Sequence, residues 1–375
     1  MKFDLQEYLQ DLSVICAIDS GHGNSEGNQA VAAFFESRYQ ALGLKTELRH
    51  QEGGESSPIL LVRNSDDEPI DVLFIAHMDT VFADGTAAQW PLTVDEKGIG
   101  HGPGCVDCKG GCLSIYYLLR KMLKEGTCNF RFCVAMNSDE ERGSLLSKDT
   151  FEELARHTKY CLVFEPGRAN DEFVGTRKGG VNCLIKCHGV AAHSGVDPEK
   201  GASAILELAK WIPELYRLTD YDAGTTINVS RIAGGAEGGL VPDYAECTVG
   251  LRYLDPKAHT DLLEIFQRMK TSPYDPRTSL EIVFKPARPL MMPNSETEKL
   301  FAVLREAGSE LNQPVELLTT GGGSDGNWVA NLGVATLDGC GPCGASLHTR
   351  NEYLKTASVG PRMELMELLL KKLFQ

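Results

Sequence analysis

Three short apolar runs punctuate the first half of the chain, and each stops abruptly at charge. Val72 to Ala76 ends in His77-Met78-Asp79, Phe130 to Met136 ends in Ser138-Asp139-Glu140-Glu141, and Cys161 to Phe164 ends in Glu165-Pro166-Gly167. Continuous apolar runs of this length read as strands buried on both faces. Between them, residues 1–18 predict a helix from the spacing of Leu5, Tyr8, Leu9 and Leu12, and residues 110–124 another from Leu113, Tyr116, Tyr117 and Leu119. A Gly/Asn/Ser-rich turn over 20–27 precedes a further amphipathic helix near 28–42, and strands are expected near 45–49 and 59–63. Residues 81–111 read as one long loop, a length that inside a compact domain usually carries function. Strands alternating with helices imply an α/β class, with a mostly parallel sheet covered by helices. Such sheets keep their chemistry in the crevice outside the carboxyl ends of the strands, which is where the charges fall.

The texture changes near Val181. A strand over 181–188, a helix over 198–218, strands near 225–232 and 245–251, a helix over 256–269 and a strand over 280–285 follow in the order β-α-β-β-α-β. That order matches a ferredoxin-like α+β unit inserted into the first domain. The expected division is 1–180 and 289–375 for the catalytic domain and 181–288 for the insert. Beyond it, a helix over 295–312, strands near 315–318 and 334–337 and a helix over 358–374 resume the first pattern. In the insert, Ile205, Leu208, Ala209 and Ile212 offer an apolar helix face that fits either its own sheet or a partner.

Composition narrows the function. A formal net charge of -15 over 375 residues, with no basic run, argues against a nucleic-acid surface. The segment Met1-Lys2-Phe3-Asp4-Leu5-Gln6 lacks the charged-then-apolar pattern of a signal peptide, and no apolar run approaches a membrane span. A cytoplasmic protein is the expectation. The 12 cysteines are scattered, several within apolar runs, and most read as buried free thiols.

The strand ends and the loops between them supply His77, Asp107, Glu140, Glu141, Glu165 and His348. Two imidazoles and three carboxylates suit a pair of divalent ions, each bound by one histidine and one terminal carboxylate, with a further carboxylate shared. A remaining carboxylate beside a ligand would serve as general base in two-metal hydrolysis.

Seven ordered segments carry a resemblance: His77-Met78-Asp79-Thr80-Val81, the run from Gly102 to Gly111 (GPGCVDCKGG), Asp139-Glu140-Glu141-Arg142-Gly143-Ser144, Phe164-Glu165-Pro166, His193-Ser194-Gly195, Gly322-Gly323-Ser324-Asp325 and His348-Thr349. In these the chain resembles the M20 family of zinc metallopeptidases across almost its whole length. It is most similar to the glutamate carboxypeptidase branch, whose relatives include acetylornithine deacetylase and succinyl-diaminopimelate desuccinylase. The resemblance implies two Zn2+ per subunit, with Co2+ or Mn2+ as substitutes. His77 and Glu165 would hold one ion, Glu141 and His348 the other, with Asp107 bridging. It further implies Glu140 as general base, Asp79 as the group that orients His77, and a cis Asp107–Cys108 peptide.

The insert would be the family's lid and dimerisation domain, giving a homodimer. His193 would be an oxyanion donor from that lid. Arg252 and Arg288 would receive a substrate carboxylate, helped by Arg177 and Lys178 at the other hinge, while Gly322 and Gly323 let backbone approach the substrate. One departure is visible: where the family often has asparagine before an apolar-apolar-proline turn, this chain reads Gly238-Gly239-Leu240-Val241-Pro242, and Asn228 is a candidate replacement.

The implied reaction is cleavage of a peptide or amide bond next to a carboxylate-bearing amino acid, on a small peptide or N-acyl amino acid. An N-acyl amino acid deacylase or a dipeptidase are the alternatives within the class. From other classes come an inactive zinc-binding scaffold and a thiol redox protein. The last rests on Cys105/Cys108 and Cys340/Cys343, two C-x-x-C pairs, of which the second matches a thioredoxin-type motif. A redox motif needs a following helix, however, and Gly344-Ala345-Ser346-Leu347-His348 reads as a loop.

Overall fold

The computed structural model describes residues 3–50 and 57–374. The chain divides into two compact units, one formed by 1–177 with 291–375 and the other by 178–290.

The first unit is built on a six-stranded sheet, in the order Lys45–Arg49, Ile59–Arg63, Phe132–Asn137, Ile70–His77, Thr158–Val163 and Ala335–Leu337. The last four run parallel, and Ile59–Arg63 is reversed against both of its neighbours. In the central strand Ile70–His77 every residue but Asp71 is buried. Its side chains divide by parity. Val72, Phe74 and Ala76 enter one core with Tyr8, Leu12, Phe35, Tyr39 and Leu113, whereas Leu73 and Ile75 enter another with Phe151, Leu154 and Val329. Burial on both faces explains why the run is apolar throughout and lacks the alternation of a half-exposed strand.

Local chemistry accounts for most boundary differences. The helix expected near 28–42 runs Ser25–Ala41, because the Asn24 side chain caps it by accepting the Gly27 amide at 2.8 Å. The 81–111 stretch is not bare loop. It contains the helical turn Thr86–Gln89 and the strands Thr93–Val94 and Ile99–His101, the latter paired with Tyr353–Lys355. A helix at Lys148–Ala155 and a strand at Phe173–Arg177 were not expected, and Phe173–Arg177 pairs in parallel with Leu317–Thr320. At the end of Phe173–Arg177, Arg177 and Met291 exchange backbone hydrogen bonds in both directions, at 3.0 and 3.1 Å.

The second unit is a four-stranded antiparallel sheet in the order Thr226–Gly234, Tyr244–Tyr253, Gly179–His188 and Ser279–Lys285. With the helices Ala204–Tyr216 and Pro256–Thr271 this is the ferredoxin-like arrangement. Strict alternation along Gly179–His188 turns Val181, Cys183, Ile185 and Cys187 toward Leu208, Trp211, Leu262 and Phe266. The expected helix over 198–218 is split: Pro198–Lys200 is one 3-10 turn, and Ser203 caps Ala204–Tyr216 by accepting the Leu206 amide. The face that packs on the sheet is Ala204, Leu208, Trp211 and Leu215; Ile205 and Ala209 are exposed.

All 12 cysteines are free thiols. Among the described residues no helix is long and apolar enough to cross a membrane.

Candidate metal centre

The three central strands deliver their charged ends to one place. His77 is the last residue of Ile70–His77 and sits beside Asn137 of the neighbouring strand. Glu140 and Glu141 open a one-turn 3-10 helix after Phe132–Asn137, and Glu165 follows Thr158–Val163 by two residues. Asp107 lies just before the helix Lys109–Lys124, and its peptide bond to Cys108 is cis. His348 stands on an exposed turn with a left-handed backbone, φ 63°, a conformation in which histidine is several-fold enriched among non-glycine residues.

The distances tie these groups together. His77 Nε2 is 3.1 Å from Asp107 Oδ1 and 3.6 Å from Glu165 Oε1. His348 Nε2 is 3.3 Å from Asp107 Oδ2 and 3.1 Å from Glu141 Oε2. The two oxygens of Asp107 thus face two different imidazoles. Ligands on a tetrahedron with bonds of ~2.0 Å stand about 3.3 Å apart, so the observed donor spacings fit a pair of divalent ions. The mixture of imidazole and carboxylate fits a zinc-like ion equally well.

Electrostatics make the same demand. Burial pushes the Glu141 carboxyl up to about 7, against the hydrogen bond from His348, and pushes Glu165 well above the usual carboxylate range. Burial acts on Asp107 in the same sense, yet hydrogen bonds from His348 and His77 outweigh it and hold its carboxyl below the usual range. His348 is raised to about 10 by Asp107 and Glu141. Four carboxylates gathered at one place, Asp107, Glu140, Glu141 and Glu165, call for positive charge to offset their repulsion.

A second layer fixes the first. His77 Nδ1 lies 3.1 Å from the Asp79 carbonyl and 3.3 Å from Asp79 Oδ1, so that nitrogen would keep its proton if a metal displaced the one on Nε2. The same Asp79 carboxylate accepts the amides of Glu140 at 3.2 Å and Glu141 at 3.1 Å. Asp79→Ala should therefore weaken metal binding roughly 10- to 100-fold, measured by competition with a chromogenic chelator. Unchanged affinity would remove Asp79 from the support of His77.

Two supporting roles were not anticipated from the sequence. Buried Glu352 accepts the amides of Val106, Asp107 and Gly104 at 3.0, 3.2 and 3.3 Å and so pins the loop that presents Asp107. Its signal was a lone glutamate four residues past His348. Asp139 accepts the amides of Leu146 and Ser147 and the Ser147 hydroxyl, holding the turn that follows Glu141.

Arg177 requires a correction. Expected to help Arg252 and Arg288 receive a substrate carboxylate, it is instead buried against Asp338, with Nε to Oδ2 at 2.6 Å and Nη2 to Oδ1 at 2.9 Å. Its remaining nitrogen, Nη1, donates to the Gly322 carbonyl at 3.0 Å. Arg177 thus shapes the glycine segment from behind. A Cβ at Gly322 would meet nothing within 4 Å, so the space beside it is open.

His193, Arg252, Arg288 and Lys178 belong to the 178–290 unit. His193 is exposed, and its Nδ1 accepts the amides of Gly195 and Val196, both at 3.1 Å, which leaves the proton on Nε2. Arg252 is exposed and donates to Asn182 Oδ1 and to the Leu251 carbonyl. Arg288 and Lys178 are half-buried.

The C-x-x-C pairs do not form disulfides. Cys340 donates to the Leu337 carbonyl and Cys343 to Asp171, while the residues after Cys343 form the short strand Gly344–Ala345. The helix a thioredoxin-type motif needs is not there.

With this geometry established, comparison with known proteins places it. Residues 73–372 match the model of peptidase family M20/M25/M40. Carboxypeptidase G2 of Pseudomonas sp. (strain RS-16) is 25% identical over 372 residues, covering 97% of this chain and 89% of the relative. Among solved structures, aminopeptidase PepT from Bacillus cereus superposes with a TM-score of 0.82 at 21% identity, covering 99% of both chains. An M20 family metallo-carboxypeptidase from Sulfolobus solfataricus gives 0.73 at 17% identity, covering 98% of this chain and 99% of that one. The strand-end cluster, the inserted ferredoxin-like unit and these likenesses agree: the chain belongs to peptidase family M20/M25/M40 and is a hydrolase of peptide or amide bonds.

Proposed function

We propose that this hydrolase is a co-catalytic two-zinc exopeptidase of carboxypeptidase type, cleaving the amide next to a carboxylate-bearing amino acid. The observation that carries the reading is Asp107, whose two oxygens face His77 Nε2 and His348 Nε2 respectively. His77 and Glu165 would hold one ion and Glu141 and His348 the other, with Asp107 shared. When bound, such ions acidify a water and draw electron density from the scissile carbonyl.

The remaining work belongs to side chains. Glu140 takes a proton from the attacking water at its carboxylate and delivers it to the nitrogen of the departing amine. Asp79 keeps the His77 ring in the tautomer that presents Nε2. In the reading's second part, His193 donates from Nε2–H to the developing oxyanion, and Arg252 and Arg288 receive the substrate carboxylate. The carboxypeptidase G2 relative, aligned over almost the full chain, supports this substrate class.

The test is turnover of a panel of C-terminal glutamate peptides, N-acyl amino acids and simple dipeptides by zinc-loaded protein. Release of a free carboxyl-terminal amino acid that ceases on chelation supports the reading. Preference for N-acyl amino acids redirects it to a deacylase, and preference for free-amino dipeptides to a dipeptidase.

A homodimer through the 178–290 unit is part of the proposal. Thr226–Gly234 is an edge strand, and Ile232 and Leu206 are exposed within the same unit. Sedimentation at the mass of a monomer, 40.9 kDa, would remove it.

A further inference from the structure

The thiol of Cys108 stands against the candidate metal centre with no part in the chemistry described above. It is fully buried, and its Sγ donates to the Phe164 carbonyl at 3.0 Å, one residue before Glu165. His77, Cys108 and Glu165 each offer a ligand atom, and the three atoms lie within 4.8 Å of one another. At a tetrahedral angle a metal–sulfur bond of ~2.3 Å and a metal–nitrogen bond of ~2.0 Å set the two donor atoms about 3.5 Å apart, so recruitment takes a closing shift of at most about 1.3 Å. Room on that side is reserved by Gly111, where a Cβ would stand 2.9 Å from Cys108 Sγ and 2.0 Å from the Phe164 carbonyl oxygen.

We propose that Cys108 is a conditional third protein ligand of the ion held by His77 and Glu165, recruited by thiophilic divalent ions such as Cd2+ and left aside by hard ones such as Mn2+. The inference rests on the two-metal reading of the site. On recruitment the sulfur gives a lone pair to the ion, its proton leaves to water, and the Phe164 carbonyl loses its hydrogen bond. A hard ion gains little from sulfur and leaves the thiol on the Phe164 carbonyl. A soft ion displaces the proton because its bond to sulfur outweighs the loss of that hydrogen bond. The two positions of the pair would then differ in kind, the His77 position offering nitrogen, oxygen and sulfur and the His348 position nitrogen and oxygen alone.

The experiment loads the full-length apoprotein separately with Cd2+ and Mn2+. Wild-type protein with Cd2+ is expected to show a thiolate-to-cadmium absorption band and two 113Cd resonances, one moved downfield by sulfur. Cys108→Ser should abolish the band and weaken one Cd2+ site by at least about tenfold while leaving Mn2+ loading unchanged. Cys112→Ser, whose thiol donates to the His77 carbonyl at 3.1 Å, should keep the band. Two bound Cd2+ whose resonances both fall in the nitrogen–oxygen range would overturn the proposal and leave the metal pair intact. This wild-type measurement decides even if the variants fold poorly. Failure to bind either ion would overturn the metal reading together with it.

Discussion

Glu140→Gln should lower kcat by roughly a hundred- to ten-thousand-fold while both metals stay bound and KM changes little. Glutamine keeps the shape of glutamate and removes only its capacity to accept a proton. Glu140 is buried, and its amide is tied to Asp79 Oδ1, so the substitution leaves its backbone in place. The neighbouring residue provides the contrast. Glu141 contacts His348 through its carboxylate, and Glu141→Gln should reduce metal content along with activity. Metal analysis by mass spectrometry beside steady-state kinetics separates the two. If Glu140→Gln lost a metal, Glu140 would be a ligand; if it retained near wild-type turnover, the proton would be moving through another group.

Asp338→Ala should destabilise the fold by about 3–5 kcal/mol, the cost of leaving a buried guanidinium without its counter-ion. Asp338 is fully buried and Arg177 nearly so, and their paired hydrogen bonds close at 2.6 and 2.9 Å. Asp338 also accepts the Ser324 hydroxyl, so its loss would loosen the segment that leads from Gly322 and Gly323 into Asp325. Urea denaturation followed by far-ultraviolet dichroism gives the number. The double variant Arg177→Met with Asp338→Ala should recover part of the loss, since it removes the stranded charge with its partner. Wild-type stability with a raised KM would instead return Arg177 to substrate binding.

These two residues mark the limit of what sequence reveals here. Strands buried on both faces must be apolar throughout, so 72–76 and 161–164 stood out, and whatever follows such a run falls at the edge of the sheet. His77, Glu140, Glu141 and Glu165 were legible for that reason. The inserted unit was legible from the order of its elements, because alternation along Gly179–His188 records one covered face. Glu352 was not, since its role depends on amides 245 to 248 residues away in the chain. Arg177 was misassigned on the same ground. An arginine near a hinge looks free until the fold supplies Asp338, 161 residues further on. The helix Lys148–Ala155, only 8 residues long, offers too few turns for its period to register.

The paired backbone hydrogen bonds between Arg177 and Met291 have a consequence for how such a chain can be assembled. They join the last residue before the insert to the first residue after it. For the catalytic unit, the intervening 178–290 stretch is then a loop whose two ends already meet, whatever its contents. Because the entropy of closing a loop grows only slowly with its length, a hundred-residue domain burdens that junction little more than a short turn would. A seam of this kind is where one module can be lengthened, exchanged or deleted while the other keeps its own core.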